Sequence, residues 1–303
     1  MEIAIMVEGQ NGLNWPRWQR IARAVEDLGF AGLYRSDHFT NASAPDKDSL
    51  ELWVSLTWLA SHTNRIEFGP MVSPVSFRHP AMTARIAAAV DDLSGGRLTL
   101  GVGAGWQERE HAHFGYDLLE LPERFNRFEE GLEVIQRLLQ SDLPVDFSGK
   151  YFQLKEAILL PRPGRAGGPP ILIGGNGAKR TLGLAARYAH EWNAVFISPT
   201  EFRRLNALLD EQLAQVGRAP DSMRRSLMTG CIYAKDAEQL NTMLTARSQT
   251  AADLRQRGLV VAAGNEVTSQ LNDYAEAGVQ RIMLQWIDLD DIAGLEWLAK
   301  QVY

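Results

Sequence analysis

Short apolar runs alternate with stretches of helical periodicity along this chain, and that alternation limits the fold more tightly than any other feature. Residues 2–7 are an apolar run that reads as a strand. Asn14 and Pro16 then open a helix whose stripe of Trp18, Ile21, Ala22, Val25 and Leu28 ends at Gly29. Further strands are expected at 31–35, 66–71 and 98–102. Between them lie helices carrying Leu52, Trp53, Leu56, Leu59 and Ala60 and, from Pro80, Ile86, Ala87, Val90 and Leu93. The second half keeps this order. A long helix is marked by Phe125, Phe128, Leu132, Ile135 and Leu139, and strands follow at 171–173, 192–196, 226–233 and 281–285. Helices at 178–188, 200–216, 237–257 and 267–277 separate them. Parallel strands need a crossover between each pair, and helices supply it. Eight such units with no linker predict an α/β chain of the (β/α)8 TIM-barrel type, one domain over residues 1–303. An open doubly wound sheet fits less well, because no dinucleotide fingerprint accompanies the strands.

Composition removes several function classes. Thirty-one Lys and Arg against 37 Asp and Glu leave a net charge of −6, which is not the basic footprint that nucleic-acid binding needs. No stretch reaches the roughly 18 apolar residues of a membrane span, and the first residues lack the pattern of an export leader. A cytoplasmic protein with a small-molecule substrate is expected. Cys231 is the one cysteine, so neither an internal disulfide nor a Cys-based metal cage is available.

Two glycine clusters invite a nucleotide reading. Gly101, Gly103 and Gly105 follow a strand, but Trp106 stands where a dinucleotide fingerprint needs glycine, and no helix follows at once. Lys150 after Gly149 lacks the rest of a phosphate-binding Walker loop. Gly174, Gly175, Asn176 and Gly177 differ, because they join a strand to a helix expected from Ala178. Backbone N–H groups there would meet an anion at the positive helix end, with no Cβ in the way. A plain tight turn is the competing reading.

Barrel sites lie at the C-terminal strand ends. There the second strand delivers Asp37 and His38, and the third delivers Met71, Val72 and Ser73. A histidine in such a place can exchange a proton near neutral pH, or simply cap the loop. His111 and His113 have ligand-like spacing, but with only Glu108 and Glu110 nearby a solvated loop is expected, and no metal site. His62 reads as a helix-end cap and Cys231 as inert core. The loops 39–49, 104–121 and 141–169 are expected to set specificity. The helix with Trp53 and Trp58 offers an apolar face for a homodimer.

Read together, these segments resemble the bacterial luciferase-like superfamily, and its F420-dependent oxidoreductase branch most of all. The resemblance rests on Leu28-Gly29-Phe30, Ser36-Asp37-His38-Phe39, the run from Gly69 to Pro74 and His79-Pro80. It continues in Asp91-Asp92-Leu93-Ser94-Gly95-Gly96-Arg97, in the run from Leu100 to Trp106, in Arg124-Phe125, in Gly174 to Gly177, and in the run from Tyr274 to Val279. It implies a ring cofactor, coenzyme F420 or alternatively FMN, lying against Asp37, His38, Met71, Val72 and Ser73 and beside Gly103, Ala104, Gly105 and Trp106. It also implies a non-prolyl cis peptide among residues 71–73, a phosphate at Gly174, Gly175, Asn176 and Gly177, and His38 as the catalytic proton donor. Sugar-phosphate dehydrogenases of that branch carry an acid where this chain has Trp106, and a tryptophan shortly after the Asp-His pair, which residues 41–45 lack. That reaction is therefore not the expected one. The expected activity is hydride transfer to or from a small organic substrate, or flavin-dependent monooxygenation in the alternative. A phosphate-binding barrel lyase or isomerase, and a non-catalytic flavin carrier, are the rivals of other classes. Lys179 and Arg180, next to the glycine turn, offer charge for the acidic tail of the deazaflavin.

Overall fold

Strands that are covered on both faces need apolar residues on both, and the computed structural model, which describes residues 1–303, shows why this chain supplies them. Ile3, Ile5 and Val7 of the first strand pack outward into the main core, while Ala4 and Met6 turn inward to a smaller cluster with Tyr34, Met71, Leu172, Met228 and Met283.

In chain order the elements are β1 (Glu2–Val7), α1 (Trp15–Asp27), β2 (Gly32–Arg35), α2 (Leu52–His62), β3 (Glu67–Pro70), β4 (Ser73–Pro74), α3 (Pro80–Leu93), β5 (Leu100–Gly103), α4 (Glu108–Phe114) and α5 (Leu121–Gln140). There follow β6 (Val145–Ser148), β7 (Gln153–Ala157), β8 (Ile171–Gly174), α6 (Thr181–Tyr188), β9 (Glu191–Val195), α7 (Pro199–Gln215) and β10 (Arg224–Ala234). The chain ends through α8 (Ala237–Ala246), α9 (Ala251–Gln256), β11 (Val260–Ala263), α10 (Glu266–Glu276), β12 (Arg281–Gln285) and α11 (Ile292–Val302).

The strands pair in parallel in the order β3-β2-β1-β12-β10-β9-β8-β5-β4. β3 and β4 are two pieces of one stave, interrupted at Met71-Val72, and a bridge from Phe68 to Leu98 closes the ring. The expected eight-stave TIM barrel is therefore what forms. Asn14 caps α1 by accepting from the Arg17 amide at 3.2 Å, as its position before the stripe requires. Structure also appears where none was expected. Residues 141–169 contain the antiparallel hairpin β6–β7, residues 104–121 contain α4, and α11 follows the last stave. The helix expected over 237–257 is two helices, because Ser248 adopts φ 52° and Thr250 starts a new cap on Asp253. β11 then pairs with residues 231–234 of β10, outside the barrel path. No helix is long and apolar enough to cross a membrane. Trp53 is buried, and Trp58 stacks on His62 and meets Trp15 edge-on, so both rings have partners within the chain.

The floor of the barrel is charged. The Arg281 guanidinium, 1% exposed, donates to Glu2 (2.6 Å), Glu67 (2.7 Å) and the Tyr34 hydroxyl (2.6 Å), and lies 3.6 Å from buried Glu191. One side chain on β12 thus ties β1, β2 and β3 together. Arg281→Met would leave the buried Glu191 carboxylate with only Arg224, at 3.8 Å, as a counter-charge, and is expected to cost about 3 kcal/mol of unfolding free energy. Urea denaturation of the two proteins measures it, and a loss below about 1 kcal/mol would show the cluster to be dispensable.

Candidate active site

A cavity of about 500 Å³ opens at the C-terminal strand ends, within the usual size of small-molecule sites. Every stave except β12 contributes: Glu8 after β1, Asp37 and His38 after β2, Met71, Val72 and Pro74 from the broken stave, and Gly103, Ala104, Gly105 and Trp106 from β5 onward. Leu121, Arg124, Phe125 and Phe128 of α5 cover one side, and Gly174, Gly175, Thr181, Asn193, Val195, Phe196 and Met228 form the other.

The broken stave explains the glycines around it. The Met71–Val72 peptide is cis, in the segment where the family resemblance places one. A Cβ on Gly101, Gly103 or Gly174 would sit 3.2, 2.7 or 3.4 Å from a Val72 methyl. The glycine pattern of β5 thus makes room for Val72 and is no nucleotide fingerprint. Gly103→Ala is expected to destabilise the fold by about 1–3 kcal/mol through this overlap. Gly183→Ala within α6, where the nearest atom would be 3.7 Å away, should be stabilising by about 0.5–1 kcal/mol. Thermal melts showing both changes with the same sign would contradict the packing argument.

Asp37 lines the cavity, but its carboxylate is engaged. It accepts from the Ser73 hydroxyl at 2.8 Å and from Arg78, which also reaches Glu51 at 2.8 Å. Ser73 supports Asp37 and is not among the lining residues. His38 is different: its side chain is 18% exposed and its Nδ1 lies 2.8 Å from Oε1 of Glu110. Trp106, 61% exposed on the rim, meets the imidazole edge-on with ring centres 5.4 Å apart. Burial by itself would push the His38 pKa down. The bond to Glu110 and the charges of Glu110, Glu8 and Asp37 outweigh burial and hold it above the ordinary value.

The glycine turn differs in detail from its sequence reading. The helix begins at Thr181 rather than Ala178, because residues 178–180 form turns before it. Gly174, Gly175 and Thr181 edge the cavity, whereas Asn176 and Gly177 do not. The Asn176 side chain instead pins the turn to β9, donating to the Val195 carbonyl at 2.7 Å and accepting from its amide at 2.9 Å. Gly175 has φ +125°, and a Cβ on Gly177 would come within 2.7 Å of the Thr181 hydroxyl, so both positions require glycine. Arg180 is drawn onto α5, donating to the Pro122 carbonyl (2.9 Å) and Asn126 (3.1 Å), while Lys179 stays exposed.

The expected solvated loop around His111 and His113 is a helix, α4. His111 is 2% exposed and bonds to Ser76 at 2.8 Å, whereas His113 is exposed, so the two do not converge. His62 Nδ1 bonds to the Trp58 carbonyl at 2.7 Å at the end of α2. Cys231 is buried, which pushes its thiol up to about 12.

Sequence reasoning missed Glu8, Glu110, Arg124, Thr181 and Asn193. Asn193, fully buried, donates to Ser226 at 2.9 Å while its Oδ1 has no partner. For Glu110 a signal existed: Gln107-x-x-Glu110 has the spacing of a helix start with an acid at the third position.

A parallel eight-stave barrel with a mostly apolar cavity at its strand ends, and one partly exposed histidine in that cavity, has the build of a TIM-barrel enzyme. Residues 1–285 match the model of the luciferase-like monooxygenase family, and the chain belongs to it. Over 211 residues it is 32% identical to 4-hydroxyprotoasukamycin monooxygenase of Streptomyces nodosus subsp. asukaensis, covering 70% of this chain but just 54% of that one. It is 30% identical over 304 residues to the F420-dependent glucose-6-phosphate dehydrogenase of Nocardia farcinica (strain IFM 10152), covering 87% and 85% of the two chains. Among solved structures, an F420-dependent secondary alcohol dehydrogenase in complex with an F420-acetone adduct superposes with a TM-score of 0.87 over 100% of this chain and 99% of that one. Its identity of 20% makes that a likeness of fold.

Proposed function

We propose that this chain is an oxidoreductase that binds coenzyme F420 and moves a hydride to or from a small organic substrate. The observation that carries the proposal is the cavity itself: apolar walls, a glycine edge at one end and His38 as its one side chain with a ring nitrogen free for a proton. The fit to a flat, phosphate-bearing cofactor has independent support. The Asn193 Oδ1 is an acceptor without a donor, suited to a ring N–H or a hydroxyl. Gly174 and Gly175, with Thr181 beside them, leave backbone open for a phosphate at the other end.

In this reading Met71 and Val72 of the broken stave support the ring, Gly103, Ala104 and Gly105 border it, and Trp106 and Phe125 wall the substrate side. Arg124 adds a positive charge to the cavity. Ser73 and Asp37 hold the broken stave in place, and Asn176 and Gly177 shape the phosphate turn without touching the cavity. When bound, the deazaflavin supplies hydride exchange at a ring carbon. The chain supplies the proton. As an alcohol becomes a ketone its carbon loses a hydride and its hydroxyl a proton, and His38 Nε2 takes that proton. In the reverse direction His38 returns it to the oxygen.

A flavin monooxygenase is the second reading, favoured by Trp106 where a carboxylate would serve a sugar phosphate. No lysine lines the cavity, which counts against the lyase and isomerase class. Fluorescence titration with F420 and FMN side by side, at two salt concentrations, tests the choice. F420 should bind more tightly, and more so at low salt through its acidic tail. Tight FMN binding with no affinity for F420 would move the assignment to the monooxygenase.

Two variants probe the roles. His38→Ala should lower turnover by about 10²–10⁴-fold with cofactor affinity nearly unchanged. Normal turnover would remove His38 from the chemistry. Gly175→Asp should weaken cofactor binding well over tenfold beyond Gly175→Ala, which carries the same backbone conflict without the charge. Equal affinities for the two would place the phosphate elsewhere.

A further inference from the structure

His38 can take a proton at Nε2 only if its own ring proton sits on Nδ1, and nothing in the imidazole alone enforces that. We infer that Glu110 is the positioning residue of this site: its carboxylate accepts the His38 Nδ1–H and so leaves Nε2 as the proton-exchanging atom. The inference rests on the role given to His38 above.

Glu110 is 1% exposed in the first turn of α4, and both of its oxygens are occupied. Oε1 lies 2.8 Å from His38 Nδ1, and Oε2 accepts from the Phe39 amide at 3.0 Å. The Phe39 amide is a donor under all conditions. A residue that faces it and a protonated Nδ1 together must present two acceptors and no donor, which an ionised carboxylate does and an amide does not. The setting around the pair is rigid. Gln107 caps α4 by accepting from the Glu110 amide at 3.2 Å, and its Nε2 donates to the Thr40 carbonyl at 2.9 Å and stands 3.4 Å from His38 Nδ1, farther than the Glu110 carboxylate at 2.8 Å. The loops after β2 and β5 are thereby joined behind the imidazole, with the Trp106 ring across its edge. Other charges act on His38 as well. Glu8 faces it from the end of β1, Asp37 precedes it and is paired with Arg78, and Arg124 lines the cavity from α5. Among the groups that raise the His38 pKa, Glu110 has the largest effect.

The arrangement makes Glu110→Gln a test of a specific kind. The Gln carbonyl would go to the Phe39 amide and its NH₂ to His38 Nδ1, so the same joints persist with the opposite tautomer. In the Ser-His-Asp triad, the corresponding Asp→Asn change leaves geometry intact and lowers turnover about 10⁴-fold. Removing the negative charge also lowers the His38 pKa. The limb of the pH–rate profile that belongs to His38 should therefore move to lower pH in both reaction directions.

The experiment is nitrogen-15 NMR of the imidazole in cofactor-free protein, with the His38 signals assigned by their loss in His38→Ala. Wild type should show the proton on Nδ1, Glu110→Gln should show it on Nε2 with a lower titration midpoint, and Glu110→Asp should restore it to Nδ1. In the assay, Glu110→Gln should lower kcat by about 10²–10⁴-fold with the KM for cofactor within a small factor. Wild type with its proton on Nε2 would overturn the inference, even where Glu110→Gln does not fold. So would a folded Glu110→Gln with unchanged tautomer, midpoint and kcat, which would leave Glu110 as a mere link between loops. Because the tautomer is read without cofactor, absence of turnover with either F420 or FMN would reject the proposed function and not this inference.

Discussion

Closing a parallel sheet into a ring of eight staves is the constraint on which the rest of this molecule depends. Side chains fill the interior of such a ring, and its C-terminal mouth is left to the loops that follow the strands. At the floor, Arg281 gathers carboxylates from three other staves, and its charge is satisfied without water. Above it, apolar side chains, three of them methionines, fill the middle: Ala4, Met6, Leu172, Met228 and Met283. Flexible thioether side chains suit such an irregular space. Nothing fills the top, and the cavity is the consequence.

That geometry explains why the chemistry-bearing residues are scattered along the sequence and adjacent in space. Glu8, His38 and Glu110 come from three different crossings and Asn193 from the β9 stave, and the barrel brings all four to one mouth. It also explains the division of labour around Asp37. A buried carboxylate needs partners, and Arg78 and Ser73 provide them from the segment before α3 and from the broken stave. Asp37 then holds the segment that carries Val72, and His38, next in sequence, remains free to meet the cavity. One residue is committed to architecture so that its neighbour need not be.

The match to the luciferase-like monooxygenase family covers nearly the whole chain. Its relatives carry out both dehydrogenation and monooxygenation by name. Trp106, exposed on the rim and set against His38, is the clearest wall residue that this chain presents.

Alternation of apolar runs was enough to give the eight staves, most of the helices between them and the order of the active-site loops, because local periodicity and caps such as Asn14 are written within a few neighbouring residues. The last stave, Arg281–Gln285, has the bounds expected from sequence. What sequence did not contain is whatever depends on residues far apart meeting. The hairpin β6–β7 is made of two short, largely exposed strands whose alternation is weak, and β11 forms because β10 runs beyond the barrel and offers an edge. The same reason separates the legible part of the site from the rest. His38 and Gly175 announced themselves by residue type and place. Arg180 is also recognisable by type, yet packing against α5 takes it away. Glu110 read as one more acid in a polar loop. Only the folded barrel seals it from water 2.8 Å from an imidazole, where a charge has no solvent to weaken it and so governs the proton beside it.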